Sequence, residues 1–206
     1  MTRSKTGFPS TKYRGEPLRQ CVVDAAERLL REGKAAFSMR DLAVEAGVSF
    51  ATPFNQFGSK AAIMEALSAR RIDAMEARFA AAAPLISAVA RVLLAVDTAA
   101  AVMLEEPDVN RAVMGWLGAS SPAPGQVWAR STALWALALG AGEGLIPSRR
   151  EQALRLLPKQ LAFAFRGVLS FWTAGELPGG LLAPEARDIA STLLLAFNDP
   201  SPEVIG

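Results

Sequence analysis

Apolar residues recur at three- and four-residue intervals along almost the whole chain, and strand-like alternation is nearly absent. That spacing puts side chains on one face of an α-helix, whereas a half-buried strand needs a period of two. Leu18, Val22, Ala25 and Leu29 form the first stripe, with Pro17 near its first turn and Gly33 past its end, which predicts a helix over about 17–32. Ser38 precedes Asp41 by three residues and reads as a capping box opening a second helix, to about Ala46, which Gly47 ends. Ser49 and Ser59 are placed to cap a short third helix and a fourth running to about Ala82. Beyond Pro84, longer helices are predicted over about 85–105, 108–118, 125–143, 149–175 and 185–198. Their separators are Pro107, the Ser-Ser-Pro-Ala-Pro-Gly stretch at 120–125, Ile146-Pro147 and Leu177-Pro178-Gly179-Gly180. Pro158 falls inside the fourth of these and predicts a kink or a later start. The sum is an all-α chain of about nine helices, a three-helix head carrying a helix pair followed by a larger C-terminal helical body.

The 206 residues are 51% hydrophobic and 20% charged, enough for one large core or two modest ones. The longest strongly apolar uncharged run, Ser131 to Gly142, has 12 residues, too few to span a bilayer. The first residues carry bases but no apolar stretch after them, so no secretory signal is read there. A single cysteine, Cys21, leaves no intrachain disulfide framework and fits a reducing compartment, so the expected location is cytoplasmic. On the first helix beside Val22, Cys21 reads as a packing residue. Histidine is absent, which removes Ser-His-Asp and Cys-His catalysis and His-containing zinc sites. No metal, cofactor or catalytic residue is expected, although carboxylate pairs or a lysine base remain open in principle.

Charge is distributed unevenly. Residues 1–60 hold ten Lys/Arg against six Asp/Glu, while the remainder holds twelve against fourteen. Arg3, Lys5, Lys12 and Arg14 lie in the first fifteen residues with no acid among them, so residues 1–15 read as a basic flexible arm. A basic amino-terminal third on a near-neutral body suits a polyanion-binding head.

The informative stretch is Ser38 to Lys60, SMRDLAVEAGVSFATPFNQFGSK. Leu42, Ala43 and Ala46 line one side of a short helix, and Phe54 and Phe57 lie at i and i+3 on the next. Small Ala43 allows the two helices to cross closely, and Gly47 permits the reversal between them. Backed by a third helix, such a pair can push its second member into a major groove. The stretch resembles the helix-turn-helix of the tetracycline-repressor (TetR) family, with its capped helix, Ala-Gly-Val-Ser turn, aromatic-bearing recognition helix and closing Phe-x-Ser-Lys. Close resemblance covers about residues 17–68; beyond that, only helix number, length and order are similar. It implies a DNA-binding domain over 16–62, a regulatory and dimerisation domain over 63–206, and a homodimeric repressor of a palindromic double-stranded DNA operator. Two departures stand out. Phe54 replaces a tyrosine whose hydroxyl usually meets a phosphate, and Pro53 replaces an apolar residue such as leucine.

Side-chain chemistry suggests individual roles. Asn55 and Gln56 carry amides suited to adenine N6 and N7. Phe50, Ala51 and Thr52 lie on the first turn, where apolar groups can touch a thymine methyl. Lys60, beside the Ser59 cap, and Arg40, Arg14 and Lys12 are phosphate candidates. Phe54 and Phe57 are expected in the core of the head.

In the body, Leu154, Leu157, Leu161, Phe165, Val168 and Trp172 repeat at spacings of 3, 4, 4, 3 and 4. With Leu193, Leu194 and Phe197 on the last helix, this seam is similar to the family's four-helix dimer surface; burial within one monomer explains it equally. The family's body usually holds a small-ligand pocket. Met103, Met114, Trp116, Trp128 and Trp135 are the candidate lining, although core packing accounts for such residues as well. Arg130 is the one charge between Ala112 and Ala141, so a pocket there is expected to take a small apolar or aromatic molecule that releases the protein from DNA. Two other readings stand beside this one: a DNA-binding dimer with no ligand, and a helical carrier or enzyme with a vestigial helix-turn-helix.

Overall fold

A computed structural model of the chain describes residues 15–82, 84–117 and 126–199. Among them are nine α-helices: α1 Glu16–Arg31, α2 Met39–Glu45, α3 Thr52–Phe57, α4 Lys60–Ala81, α5 Ala88–Glu105, α6 Pro107–Leu117, α7 Val127–Leu139, α8 Arg150–Ala174 and α9 Gly179–Leu195. The arm residues Arg3, Lys5, Lys12 and Arg14 lie outside the described residues.

Local signals set the ends of most elements. Ser38 Oγ accepts from the Asp41 amide at 3.2 Å while the Asp41 carboxylate accepts from the Ser38 amide at 2.8 Å, the reciprocal capping box predicted for α2. Ser59 caps α4 through the Ala62 amide and Ser87 caps α5 through the Ala90 amide, each at 3.2 Å. Each bond satisfies one of the amides that a helix start leaves without an intrahelical partner.

Several boundaries differ from expectation. The Ser49 hydroxyl does not cap α3. Its carbonyl accepts from the Thr52 amide at 2.9 Å in a turn, and α3 begins two residues later than a Ser49 cap would set it. Pro53 thus falls in the first turn, where a missing amide costs no intrahelical bond. α7 stops at Leu139 because Gly140, Gly142 and Gly144 all take positive φ. α8 runs unbroken through Pro158, and α9 begins at Gly179 with Pro184 in its interior. Pro158 is buried in the body core, whereas Pro184 is exposed between the buried Leu182 and Ala186.

Two apolar cores result. The head core joins Val22, Ala26 and Leu30 of α1, Leu42 of α2, Phe57 of α3 and Ile63, Met64 and Leu67 of α4. It also takes in Val109 and Val113 of α6. The body core lies among α5, α7, α8 and α9, closed by Met75 of α4 and Met114 of α6. α4 and α6 therefore belong to both cores, one facing each way along its length. Cys21 is half-buried and its thiol lies 3.5 Å from the Ala46 carbonyl, a packing position.

The seam read as a dimer surface is internal. Leu157, Leu161, Phe165, Val168, Trp172, Leu194 and Phe197 are buried within one chain, with Leu154 and Leu193 packed against them. The strongest apolar row on α8 is the one the monomer uses to bury α7 and α9. The outward side carries a second, sparser row, Leu156, Phe163 and Phe171, beside Leu181, Ile189 and Leu195 of α9. No described helix is long and apolar enough to cross a membrane.

Candidate nucleic-acid interface and cavity

The later start of α3 turns its side chains by a predictable amount. Pro53 and Phe57, four residues apart, share the inward face and are buried. Phe54 therefore points away, 55% exposed, which corrects its expected place in the core. Phe50, Ala51 and Asn55 are exposed with it, while Thr52 and Gln56 are half-buried. The Arg40 guanidinium lies 5.1 Å from the Phe50 ring, at the edge of this face. Thr52 Oγ1 is 2.8 Å from Ser49 Oγ, so its hydroxyl already has a partner.

Arg19 was not foreseen. From α1 it donates to the Gln56 carbonyl at 2.8 Å and stacks 4.1 Å from the Phe57 ring. A cation at the carboxyl end of so short a helix complements its dipole and pins it to the scaffold. Only the tertiary crossing of α1 and α3 gives Arg19 this role; nothing in its sequence context marks it.

Lys60 departs from expectation. Its ammonium donates to the Ala35 and Phe37 carbonyls at 2.7 and 2.8 Å, beneath the rings of Phe37 and Trp116. Burial lowers its pKa from the ordinary lysine value. The ammonium is committed inside the head, tying the α1–α2 loop to α4, and is not presented to a phosphate. Its position at the helix start suggested a phosphate; the carbonyls that claim it come from a loop over twenty residues away.

Below the head, two cavities adjoin. The larger, about 320 Å³, is lined by Met64 and Glu65 of α4, Trp116 and Leu117 of α6, Trp128 of α7 and Phe163 of α8, among others. The smaller, about 60 Å³, lies deeper against Met103, Met114 and Trp135. Val127, Ser131 and Arg166 border both. The five residues named from sequence thus divide between them: Trp116 and Trp128 at the open cavity, Met103, Met114 and Trp135 at the deep one. Trp128 stacks on Phe163 at 6.2 Å, and Trp135 meets Phe165 edge-on at 5.5 Å. Sequence reasoning missed Arg166, which enters from α8, outside the window of residues considered.

A polar network runs from the deep cavity into the head. Arg71 of α4 lines that cavity, donates to Asn110 Oδ1 of α6 at 2.7 Å, and pairs with Glu27 of α1. Arg70 joins Glu27 at 2.7 Å, and Glu106 links Arg71 to Arg31. Among the described residues, no group of three or more metal-ligating side chains converges.

A helix-turn-helix whose second helix turns Phe54 and Asn55 outward, with Phe50 exposed in the turn before it, mounted on a larger helical body, is an arrangement suited to binding DNA. Residues 22–67 match the family model described as bacterial regulatory proteins, tetR family. Residues 22–67 are thus similar to the TetR DNA-binding head, and the chain has the fold of solved TetR-type regulators. A TetR transcriptional regulator from Rhodococcus sp. RHA1 is similar over 87% of this chain and 97% of its own, with 22% identity and a TM-score of 0.70. A TetR-like transcriptional regulator from the same organism is 18% identical over 89% of this chain and 99% of its own, at a TM-score of 0.53. A Rhodococcus sp. RHA1 protein of unknown function is 23% identical over 92% of this chain and all of its own, at 0.56. No curated protein sequence matches the chain.

Proposed function

We propose that the chain is a homodimeric repressor that binds a palindromic operator and leaves it when a small molecule enters the body. The observation that carries the reading is the outward face of α3. Phe54 and Asn55 are exposed there, with Phe50 and Ala51 exposed in the turn before it, and the Asn55 side-chain amide makes no hydrogen bond to any described residue. A polar side chain left free beside two exposed rings on a helix braced by Arg19 is suited to base edges and thymine methyls in a major groove. Thr52 and Gln56 flank this face, and Arg40 supplies a phosphate contact at its edge. Lys60 acts indirectly, by holding the loop before α2.

Two such heads read half-sites about one helical turn, roughly 34–36 Å, apart, which calls for a two-fold dimer. Its surface is the outward row of α8 and α9: Leu156, Phe163, Phe171, Leu181, Ile189 and Leu195. Phe163 and Phe171 are 56% and 58% exposed in the single chain, a degree of aromatic exposure that suits a covered interface.

The larger cavity is the effector site, of a size at the lower end of small-molecule pockets. It borders α4 and α6, the two helices shared with the head core, so a ligand that displaces α6 also shifts the seating of α1 on α4. The coupling is a population shift between head spacings.

Fluorescence anisotropy of labelled DNA flanking the protein's own gene tests the reading. Salt-sensitive binding is expected, with an Asn55→Ala/Gln56→Ala double variant weaker by about tenfold or more. Equal affinity of the two proteins for that DNA would sink the assignment of α3 as the reading helix.

A further inference from the structure

Arg166 sits where the two cavities meet, and its guanidinium is short of acceptors. Its one hydrogen-bonding side chain among the described residues is Met114, whose thioether sulfur lies 3.3 Å from Nη1, a weak acceptor. No described carboxylate lies within 4.0 Å of it. Every other half-buried arginine among the described residues holds a carboxylate or a backbone carbonyl. Arg70, Arg71, Arg91, Arg130 and Arg187 pair with acids, and Arg19 and Arg111 reach carbonyls. Nor does the stretch 118–125, outside the described residues, contain an acid. Burial lowers the Arg166 pKa from its ordinary value, the mark of a cation that has lost water without gaining a counter-ion.

The surroundings repeat the imbalance. Ser131 borders both cavities with a hydroxyl able to donate. Trp135, whose side chain lines the deep cavity, keeps its indole N–H buried without an acceptor. Donors without acceptors at an apolar cavity await an acceptor from outside, and a carboxylate is the strongest match to a guanidinium fork. Glu65 also lines the larger cavity, does not reach Arg166, and opposes a second negative charge there. The walls beyond are aromatic and aliphatic: Trp116, Trp128, Phe163 and Leu117.

We propose that the cavity takes an amphipathic monoanion, an aromatic or aliphatic carboxylate whose head is held by Arg166 and whose body lies against Trp116, Trp128 and Phe163. The proposal rests on the reading of this cavity as an effector site and narrows its ligand class. It adds an anionic head to the small apolar or aromatic molecule expected from the charge-poor stretch Ala112 to Ala141, because the charge comes from α8.

Three probes with one apolar body separate the chemistries: 1-naphthaleneacetate, 1-naphthaleneacetamide and 2-(1-naphthyl)ethylamine. Binding is read on the full chain by calorimetry and tryptophan fluorescence, without DNA. The acid is expected to bind about tenfold or more tighter than the amide, and the amine least. Arg166→Met keeps an unbranched apolar stem and is expected to erase the preference for acid over amide while leaving amide affinity within about threefold. Arg166→Lys is expected to restore part of it. Equal binding of acid and amide, a preference for the amine, no binding of any probe, or an acid preference that survives in Arg166→Met overturns the proposal. An acid that binds through Arg166 yet leaves operator affinity unchanged sinks the effector reading alone and leaves the anion site standing.

Discussion

Arg71 Nε donates to Asn110 Oδ1 at 2.7 Å, and the same guanidinium pairs with Glu27 on α1. One side chain on α4 thus joins α6, the wall of the deep cavity and the head. Asn110 is itself fully buried and gives its amide N–H groups to the Val102 and Met103 carbonyls at 3.2 and 2.9 Å, fixing α6 to the end of α5. The link between cavity and head is a chain of charged hydrogen bonds rather than apolar contact alone.

The first prediction concerns Glu27. Burial pushes its carboxyl pKa up, but hydrogen bonds and charge from Arg71 and Arg70 outweigh burial, so the folded value lies below the ordinary one. A depressed folded pKa means the unfolded chain takes up the proton first as pH falls. The pair's stabilisation is therefore present at neutral pH and is lost as pH drops below about 4.5, through the folded value. Glu27→Gln is expected to lower stability by about 3 kcal/mol at pH 7. The gap from wild type should narrow progressively in acid. Thermal or urea melts of both proteins from neutral pH to below about 4 check this; a gap that stays constant across that range would falsify the linkage.

The two phenylalanines of α3 give the second. Phe57 is buried in the head core and Phe54 faces outward. Phe57→Ala is expected to cost about 3 kcal/mol in denaturant unfolding. Phe54→Ala is expected to change stability by less than about 0.5 kcal/mol while weakening DNA binding. A melt and an anisotropy titration on each variant separate the roles. A stability loss for Phe54→Ala as large as that for Phe57→Ala would show that α3 starts at Ser49 after all.

That pair also marks what sequence can resolve. The head is readable because its signals are local: the Ser38–Asp41 box, Gly47 and the Ser59 cap each act within a few residues. The rotation of α3 is not, since Pro53 is compatible with an early start that it disfavours and a late start that it favours. Lys60 and Arg19 take roles set by carbonyls that only tertiary folding brings near. In the body, Leu157 and Phe163 lie on opposite faces of one helix, and periodicity ranks the stronger row without saying what covers it. Arg166 was hidden for a related reason. Which helix borders a cavity depends on packing, so a charge-poor window on α6 and α7 says nothing of α8.

The dimer surface supplies a third prediction. If the outward row of α8 and α9 meets its own copy, a charge placed there must desolvate against an identical charge across the two-fold axis. Phe171→Glu is expected to yield monomers at micromolar concentration with the helical content of a single chain intact. Leu161→Ala, in the internal row, is expected instead to destabilise the fold by about 3 kcal/mol while leaving assembly of the folded protein unchanged. Sedimentation velocity paired with circular dichroism distinguishes the two; a dimeric Phe171→Glu would move the interface elsewhere.

The last prediction uses Gly140, at the end of α7 with φ +58°. A Cβ there would lie 2.8 Å from Arg91 Nη2, closer than such atoms approach. Arg91 is not free to retreat: it donates to the carbonyls of Ala138 and Leu139 at the end of α7, to that of Ile86, and to the Glu143 carboxylate. Gly175, at the end of α8, has φ +80°, but a Cβ added there would meet nothing within 4 Å. Gly175→Ala carries the left-handed backbone strain of about 1 kcal/mol; Gly140→Ala carries a larger one, because its ψ of −135° lies outside the left-handed helical well, and it must also dislodge a guanidinium holding helix carbonyls. Gly175→Ala is therefore expected to cost about 1 kcal/mol and Gly140→Ala about 2–3 kcal/mol. In an Arg91→Ala background, the cost at Gly140 should fall to its backbone strain alone, because the clash and the bonds it breaks are already gone. Urea unfolding of the wild type, the two single variants and the double variant closes the cycle, and additive losses at Gly140 and Arg91 would mean that the turn yields without disturbing the arginine.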